Sequence, residues 1–364
     1  MKRIALATIR ASNTLITGTF ASSLVAIFIG ATSGIGEYTL LEFAKCAPGS
    51  SIYFVGRSFE DGKRVKAKVD VVNKGGACTF IQMDVSLLKN VDEICQEIKN
   101  KEEKINLLFM TQGTLDLKSG MIFPSYHCCN SNAEIAITVT SEGIPTALAL
   151  LVYSRTRFIV NLLPLLDAAG ERSIARVVSV ATGTHEGPID MSDIDLANLS
   201  LLKPLKTRGH AASMITLTMD HIAQQASKVS FIHAHPGPVY SKIDRTMTGW
   251  LAPLKWLIRF LMLFKSMSAT ESGERHFFLA TSAMWPAAMG GSEGIKLPHD
   301  AGLRMADGID GEQGSGVYTV EEYGRGAGEK VRTLLRKYRE DGTRSRLWEH
   351  LEGRFVAITG SPSS

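Results

Sequence analysis

The chain has 364 residues, 45% of them hydrophobic and 21% charged, with a formal net charge of +4. That describes an ordinary globular protein with room for one large core, and its scattered lysines and arginines form no basic stripe for nucleic acid. The cysteines (Cys46, Cys78, Cys95, Cys128 and Cys129) are odd in number and loosely spaced, so they give no disulfide framework and fit a reducing, cytoplasmic setting.

Residues 1–23 read as an N-terminal extension in which Arg10 interrupts the apolar stretch, unlike a cleaved leader. The run Leu24 to Ile29 is a buried strand that breaks into Gly30-Ala-Thr32-Ser33-Gly34-Ile35-Gly36, followed by a helical pattern through Leu40, Leu41, Phe43 and Ala44. A strand, a turn without bulky side chains and a helix with free leading N–H groups together receive a pyrophosphate. Gly30 permits the sharp turn, while Gly34 and Gly36 let backbone and ligand approach closely. Ser51–Val55 is a second strand, and Glu60–Lys74, with Val65, Val69 and Val72 at helical spacing, a solvated helix. Thr79–Val85 pairs with a helix through Val91, Ile94 and Ile98, and Ile105–Met110 is a fourth strand. Val177–Val180 and Phe231–Ala234 follow as fifth and sixth, with helix Ala211–Ala226 between them; Gly316–Val320 is the seventh, and Val331–Tyr338 a peripheral helix. The alternation predicts an α/β, Rossmann-like doubly wound parallel sheet of about seven strands with helices on both faces. One nucleotide-binding domain is expected over 24–340, with a C-terminal tail at 341–364.

Residues 119–142 break the rhythm and read as an irregular insertion; their His127, Cys128 and Cys129 lack the spacing of a zinc site, so no metal is expected. Two apolar stretches invite a membrane reading, but Arg155 and Arg157 interrupt Pro145–Leu166, and Lys255 and Arg259 interrupt the short Trp250–Phe264. No transmembrane segment is expected, and the first stretch reads as a buried helix packed on the sheet.

Gly30-x-x-x-Gly34-x-Gly36 resembles the glycine pattern of the short-chain dehydrogenases/reductases. Other landmarks of that family fall in order: Asp84-Val85 after the third strand, Met110-Thr-Gln112-Gly113 in place of Asn-Asn-Ala-Gly after the fourth, and Pro236-Gly237-Pro-Val239 after the sixth. The resemblance covers residues 24 to 285, and the runs starting at Arg10 and Ser154 look most like fungal members associated with secondary metabolism. It implies cofactor contacts from Gly30, Thr32, Ser33, Gly34, Ile35 and Gly36, adenine contacts from Asp84 and Val85, further contacts from Gln112 and Gly113, and nicotinamide contacts from Pro236, Gly237 and Val239. It also implies a substrate lid near 242–270, where Trp250, Leu254, Leu257, Leu261 and Phe264 give an apolar face for a hydrophobic substrate, a subunit contact or a peripheral membrane contact.

Charge selects the cofactor. Arg57 lies 21 residues beyond Gly36, where NAD-selective proteins place an acid for the ribose hydroxyls. Arginine there pairs instead with a 2′-phosphate, with Ser58 adding a hydrogen bond, so NADP(H) is expected.

Catalysis is where the sequence departs from the family, because Tyr-x-x-x-Lys is absent and no tyrosine occurs between Tyr153 and Tyr240. Thr182 aligns with the family serine. Lys206 and His210, four residues apart, read either as a cofactor-ribose ligand and a proton donor, with His185 as the other donor, or as a surface charge and a satisfied histidine. Tyr153 falls near the family's helix asparagine, so its hydroxyl either reaches the active cleft or packs in the core. Arg155 and Arg157 on the same helix bind an acidic substrate or, the favoured reading, solvate its outer face. The function that follows is NADP(H)-dependent hydride transfer to or from a carbonyl or alcohol of a hydrophobic small metabolite, in secondary-metabolite biosynthesis. The other reading is an inactive NADP(H)-binding sensor or scaffold of the same fold. A homo-oligomer stays open.

Overall fold

The apolar runs become the inner strands of one parallel sheet, because such a sheet is covered by helices on both faces and its strands must be apolar on both. The computed structural model describes residues 3–20, 24–113, 126–127, 136–196, 204–239, 266–289, 294–297 and 302–362. Among them the strands are β1 (Val25–Ile29), β2 (Ser51–Gly56), β3 (Ala77–Gln82), β4 (Leu107–Met110), β5 (Arg176–Val180), β6 (Ser230–Ala234) and β7 (Val317–Val320). Their order across the sheet is β3-β2-β1-β4-β5-β6-β7, and every pairing is parallel. Ile27 stands opposite both Tyr53 and Leu108, and Val178 opposite both Phe109 and Ile232. This is the doubly wound Rossmann-like sheet the alternation predicts, with its topological switch beside β1.

One face carries α1 (Leu6–Asn13), α2 (Gly34–Cys46), α3 (Phe59–Val72) and, from later in the chain, α7 (Ala269–Thr281). Phe28 of β1 meets Phe43 and Phe109 with ring centroids 5.6 Å apart, and Phe43 meets Phe277 at 6.1 Å, so a run of aromatic contacts ties sheet to helices. The other face carries α4 (Leu88–Lys99), α5 (Thr146–Gly170) and α6 (Pro204–Ala223). Outside them lie α8 (Glu329–Glu340) and α9 (Thr343–Thr359). α9 comes from the stretch beyond 341 and buries Leu347, Leu351 and Phe355 on this second core. The N-terminal extension is likewise docked, through Arg10 to Glu274 at 2.8 and 3.0 Å and buried Ile4 and Ile9.

Among the described residues α5 is the one helix long and apolar enough to cross a membrane, and 78% of its apolar window is buried in the protein. It is a core helix. It contains a π-helical stretch at Ala149–Tyr153, a feature that often accompanies functional sites. The favoured reading of Arg155 and Arg157 as outer-face residues is wrong: both are buried. Arg157 donates to Asp92 at 2.6 and 2.8 Å, and to the carbonyls of Ser361 and Pro362 at 3.0 and 2.7 Å, because the chain after α9 folds over what would otherwise be solvent-facing helix.

Most of the 119–142 insertion lies outside the described residues, as do Cys128, Cys129, the side chain of His127 and the apolar segment Trp250–Phe264 of the expected lid. At the near end of the insertion, Glu142 accepts from the Leu88 and Lys89 N–H groups, capping α4.

Candidate active site

The glycine turn is close-packed against the end of β4. Gly30 has φ +80°, its N–H donates to Val55 O at 3.0 Å, and a Cβ there would lie 2.7 Å from the Gln112 backbone nitrogen. At Gly36 a Cβ would lie 2.5 Å from Thr111 Oγ1 and 2.7 Å from Gly30 O. Only glycine fits either place. Ser33 is the extended N-cap residue of α2 and its side chain makes no capping bond, so the hydroxyl and the leading N–H groups of α2 remain available to an anion. The turn is braced from outside by Arg64, which donates to Thr32 O at 2.9 Å and pairs with Glu37. Burial pushes the Glu37 carboxyl up, but Arg64 and Lys68 outweigh it and hold the group below the usual range.

The other predicted cofactor residues stand at the carboxyl ends of the strands, where ligands of such sheets bind. Arg57 and Ser58 follow β2 and are exposed. Ser58 Oγ accepts from Asp61 N–H at 3.2 Å, and the Arg57 side chain makes no hydrogen bond or ion pair among the described residues. After β3, the Asp84 carboxylate accepts from Ser86 N–H at 3.0 Å, and Val85 is buried. After β4, Gln112 is buried with its Oε1 unpartnered among the described residues, and Gly113 is exposed. After β6, Gly237 has φ +65° with Glu322 packed behind it, and Val239 bridges to Met267. Ile35 is half-buried in the first turn of α2.

Thr182 follows β5. It is 4% exposed, and its Oγ1 has no hydrogen-bond partner among the described residues. Its N–H donates to His233 Nε2 at 3.1 Å. An accepting Nε2 puts the ring proton on Nδ1, 2.8 Å from Thr216 Oγ1, which in turn donates to Glu186 Oε1 at 2.7 Å. Burial lowers the His233 pKa and keeps the ring neutral; burial raises that of Glu186, but bonds with His233, Thr319 and Thr216 hold it below its usual value. A buried chain ending on a carboxylate therefore fixes the Thr182 peptide from below.

Two further histidines flank that peptide. His185 Nδ1 lies 2.9 Å from Gly183 O, and its ring meets His235 edge-on at 4.5 Å. His235, bonded to the Ala181 backbone, is pulled down to about 4, first by burial and then by Arg208 and His185. The Arg208 guanidinium lies 3.4 Å from both ring nitrogens of His235. Thr184 takes φ +65°, a left-handed conformation rare outside glycine, and donates to Thr319 Oγ1 at 2.6 Å. Strain of this kind gathers at functional turns.

Residues 24–185 match the family model described as short chain dehydrogenase. An oxidoreductase of Emericella nidulans, AN1596, is 37% identical over 96% of this chain and 97% of its own. The chain belongs to the short-chain dehydrogenase/reductase family. The oxidoreductase andH of Emericella variicolor is 32% identical over 98% of both chains. Among solved structures, the Pseudomonas aeruginosa RhlG/NADP active-site complex shares the fold with a TM-score of 0.51, at 15% identity over 78% of this chain and 96% of that one.

Within this dehydrogenase/reductase the residues near the missing tyrosine and lysine are otherwise employed. His210 is 2% exposed; Nδ1 accepts from Asp190 N–H at 3.1 Å and Nε2 donates to Ile194 O at 3.0 Å, so both nitrogens hold the loop before α6. That is the satisfied histidine of the two readings. The Lys206 side chain lies outside the described residues. Tyr153 is fully buried; its hydroxyl donates to Asp195 and lies 2.9 Å from His350 Nε2 on α9. Burial, then Asp195, raises its pKa well above a free tyrosine's, so the hydroxyl serves the core. Arg155 spans the floor of the site. It donates to Ser179 Oγ at 2.6 Å and to the carbonyls of Gln112 at 2.6 Å, Met110 at 3.1 Å and Val180 at 3.1 Å, joining the ends of β4 and β5. Burial pulls Arg155 down to about 9, which leaves it charged at neutral pH. His233, His235, Glu186 and Arg208 escape a reading by motif. Their one sequence signal is period two: His233 and His235 put polar groups at alternate positions of an apolar strand, on one side of the sheet.

Proposed function

We propose that this protein is an NADP(H)-dependent oxidoreductase that interconverts a carbonyl and an alcohol on a hydrophobic small metabolite, in secondary-metabolite biosynthesis. The observation that carries it is the buried Thr182 hydroxyl at the carboxyl end of β5, which has no partner among the described residues. A hydroxyl hidden from water without a partner is costly unless a ligand completes it, and a substrate oxygen is the natural acceptor at this edge. The residues fit the cofactor: the Gly30 and Gly36 cradle leaves no room for a side chain, the Ser33 side chain makes no capping bond, and Arg57 is exposed, without a partner among the described residues, where a 2′-phosphate would lie. When bound, NADP(H) supplies or accepts the hydride. Thr182 would then orient the substrate oxygen, and His185, three residues on, would exchange its proton. The fungal relatives, which are oxidoreductases by name, and the NADP complex of the structurally similar RhlG support this reading.

The test is calorimetric titration of NADPH and NADH into wild type and Arg57→Asp, with turnover on a ketone panel. NADPH should bind more tightly than NADH, and the substitution should weaken NADPH alone by about tenfold or more; equal losses reject the phosphate contact. The engagement of both His210 nitrogens and of the Tyr153 hydroxyl favours a second reading, an inactive NADP(H)-binding sensor or scaffold. Tight NADPH binding with no substrate-dependent oxidation across the panel would select it.

A further inference from the structure

The exits of β5 and β6 hold an excess of positive charge that the hydride-transfer reading does not use. Arg208 is half-buried near the start of α6, the positive end of a 20-residue helix and an unfavourable place for a cation. Burial depresses its pKa, and no described carboxylate offsets it. Its contacts are the two ring nitrogens of His235, and that ring is itself depressed by burial, Arg208 and His185, again with no acid opposing. Arg155, below, is satisfied by carbonyls and a serine, so it too brings charge without a carboxylate. The nearby acids are committed or turned away: Glu186 is buried with His233 and Thr216, and Glu322 packs behind Gly237 without pairing to Arg208. Thr182 is tied into the same loops, its N–H bonded to His233 and its carbonyl to the His185 N–H, and its Oγ1 has no partner among the described residues.

We propose that Arg208, with His235 and His185 beside it, forms an oxyanion subsite next to Thr182, and that the substrate carries a carboxylate that binds there. The proposal rests on the oxidoreductase reading and narrows its substrate class to carbonyl or hydroxy compounds bearing an acidic group. A guanidinium presents parallel N–H groups that match the two oxygens of a carboxylate, and such a charge-assisted pair is strongest where water is partly excluded. The His235 imidazole, backed by that of His185, flanks the guanidinium and confines it. Arg208 would hold the acid group while Thr182 holds the reacting oxygen, which fixes the orientation of an otherwise apolar molecule.

The experiment is calorimetric titration of octanoate, 1-octanol and octyl phosphate into the full chain, without cofactor and again with NADPH. Wild type should bind octanoate about tenfold or more tighter than octanol. Arg208→Gln should abolish that preference, leaving octanol affinity in place, and Arg208→Lys should keep part of it. Equal binding of octanoate and octanol by wild type overturns the subsite, whatever the variants do. Tight octyl phosphate binding without octanoate binding overturns the carboxylate. Unchanged octanoate affinity in Arg208→Gln, with a fall in turnover of neutral ketones, would show that Arg208 serves the reacting oxygen instead. NADPH affinity and neutral-ketone turnover are measured alongside. If they hold while the octanoate preference is absent, the subsite alone falls; if octanoate binds but NADPH does not, the oxidoreductase reading falls.

Discussion

Replacing Gly36 by alanine puts a methyl group 2.5 Å from Thr111 Oγ1, 2.7 Å from Gly30 O and 2.8 Å from Ala31 Cα. Two of those three atoms are backbone, so no side-chain rotation relieves the overlap, and either the glycine turn or the first turn of α2 must move. Overpacking of this kind costs about 1–3 kcal/mol, which for a chain of this size is a fall in Tm of about 1–4 °C. The same displacement moves the N–H groups aimed at the cofactor's phosphates, so NADPH affinity should drop by about tenfold or more. Gly353, in α9, is the control: nothing lies within 4 Å of a Cβ there, and Gly353→Ala should raise stability by about 0.5–1 kcal/mol through helix propensity. Differential scanning fluorimetry and tryptophan quenching by NADPH read both quantities. A Gly36→Ala protein with wild-type Tm and wild-type NADPH affinity would refute the cradle geometry.

Thr182→Ala should leave stability within about 0.5 kcal/mol of wild type, since the lost hydroxyl bonds nothing among the described residues, yet lower kcat/KM by about tenfold or more; a large loss of stability would mean that the hydroxyl has a protein partner. Arg157→Met leaves Asp92 without its cation and should cost about 3 kcal/mol. It should also expose the chain beyond 341 to protease, and urea melts with limited proteolysis would register an unchanged pattern as a failure. His276, buried on α7 against the Ser272 carbonyl, is pushed down by burial to about 4 from its usual 6.5. The unfolded chain therefore binds the extra proton between those values. Folding stability is insensitive to this group above pH 6.5 and falls as pH drops toward 4, with a loss of about 2 kcal/mol by pH 5. His276→Phe should flatten that acid limb in urea melts compared at pH 7 and pH 5, and an equally steep limb would reject the assignment.

What could be read from sequence divides by distance along the chain. The strands were legible because burial on both faces forces unbroken apolar runs such as Val25–Ile29, and the glycine turn because its three glycines sit within seven residues. Arg157 was illegible because what covers it lies more than 200 residues away, at Thr359, Ser361 and Pro362. Tyr153 had two open readings for the same reason, since only the folded chain brings Asp195 and His350 to its hydroxyl. Arg208 looks like any helix-surface arginine until the exits of β5 and β6 place His235 beside it.

The docking of α9 bears on the order in which the protein can mature. Every strand of the sheet precedes residue 321, yet the acceptors that complete Arg157 and the histidine that meets Tyr153 lie between 350 and 362. On a ribosome the sheet can pair while the outer side of α5 still presents a guanidinium bonded only to Asp92 and an apolar groove, a state open to misassociation. α9, which emerges after every described strand of the sheet, thus seals the domain, and a nascent or truncated chain lacking it would be marked for chaperones by the very surface that α9 normally covers.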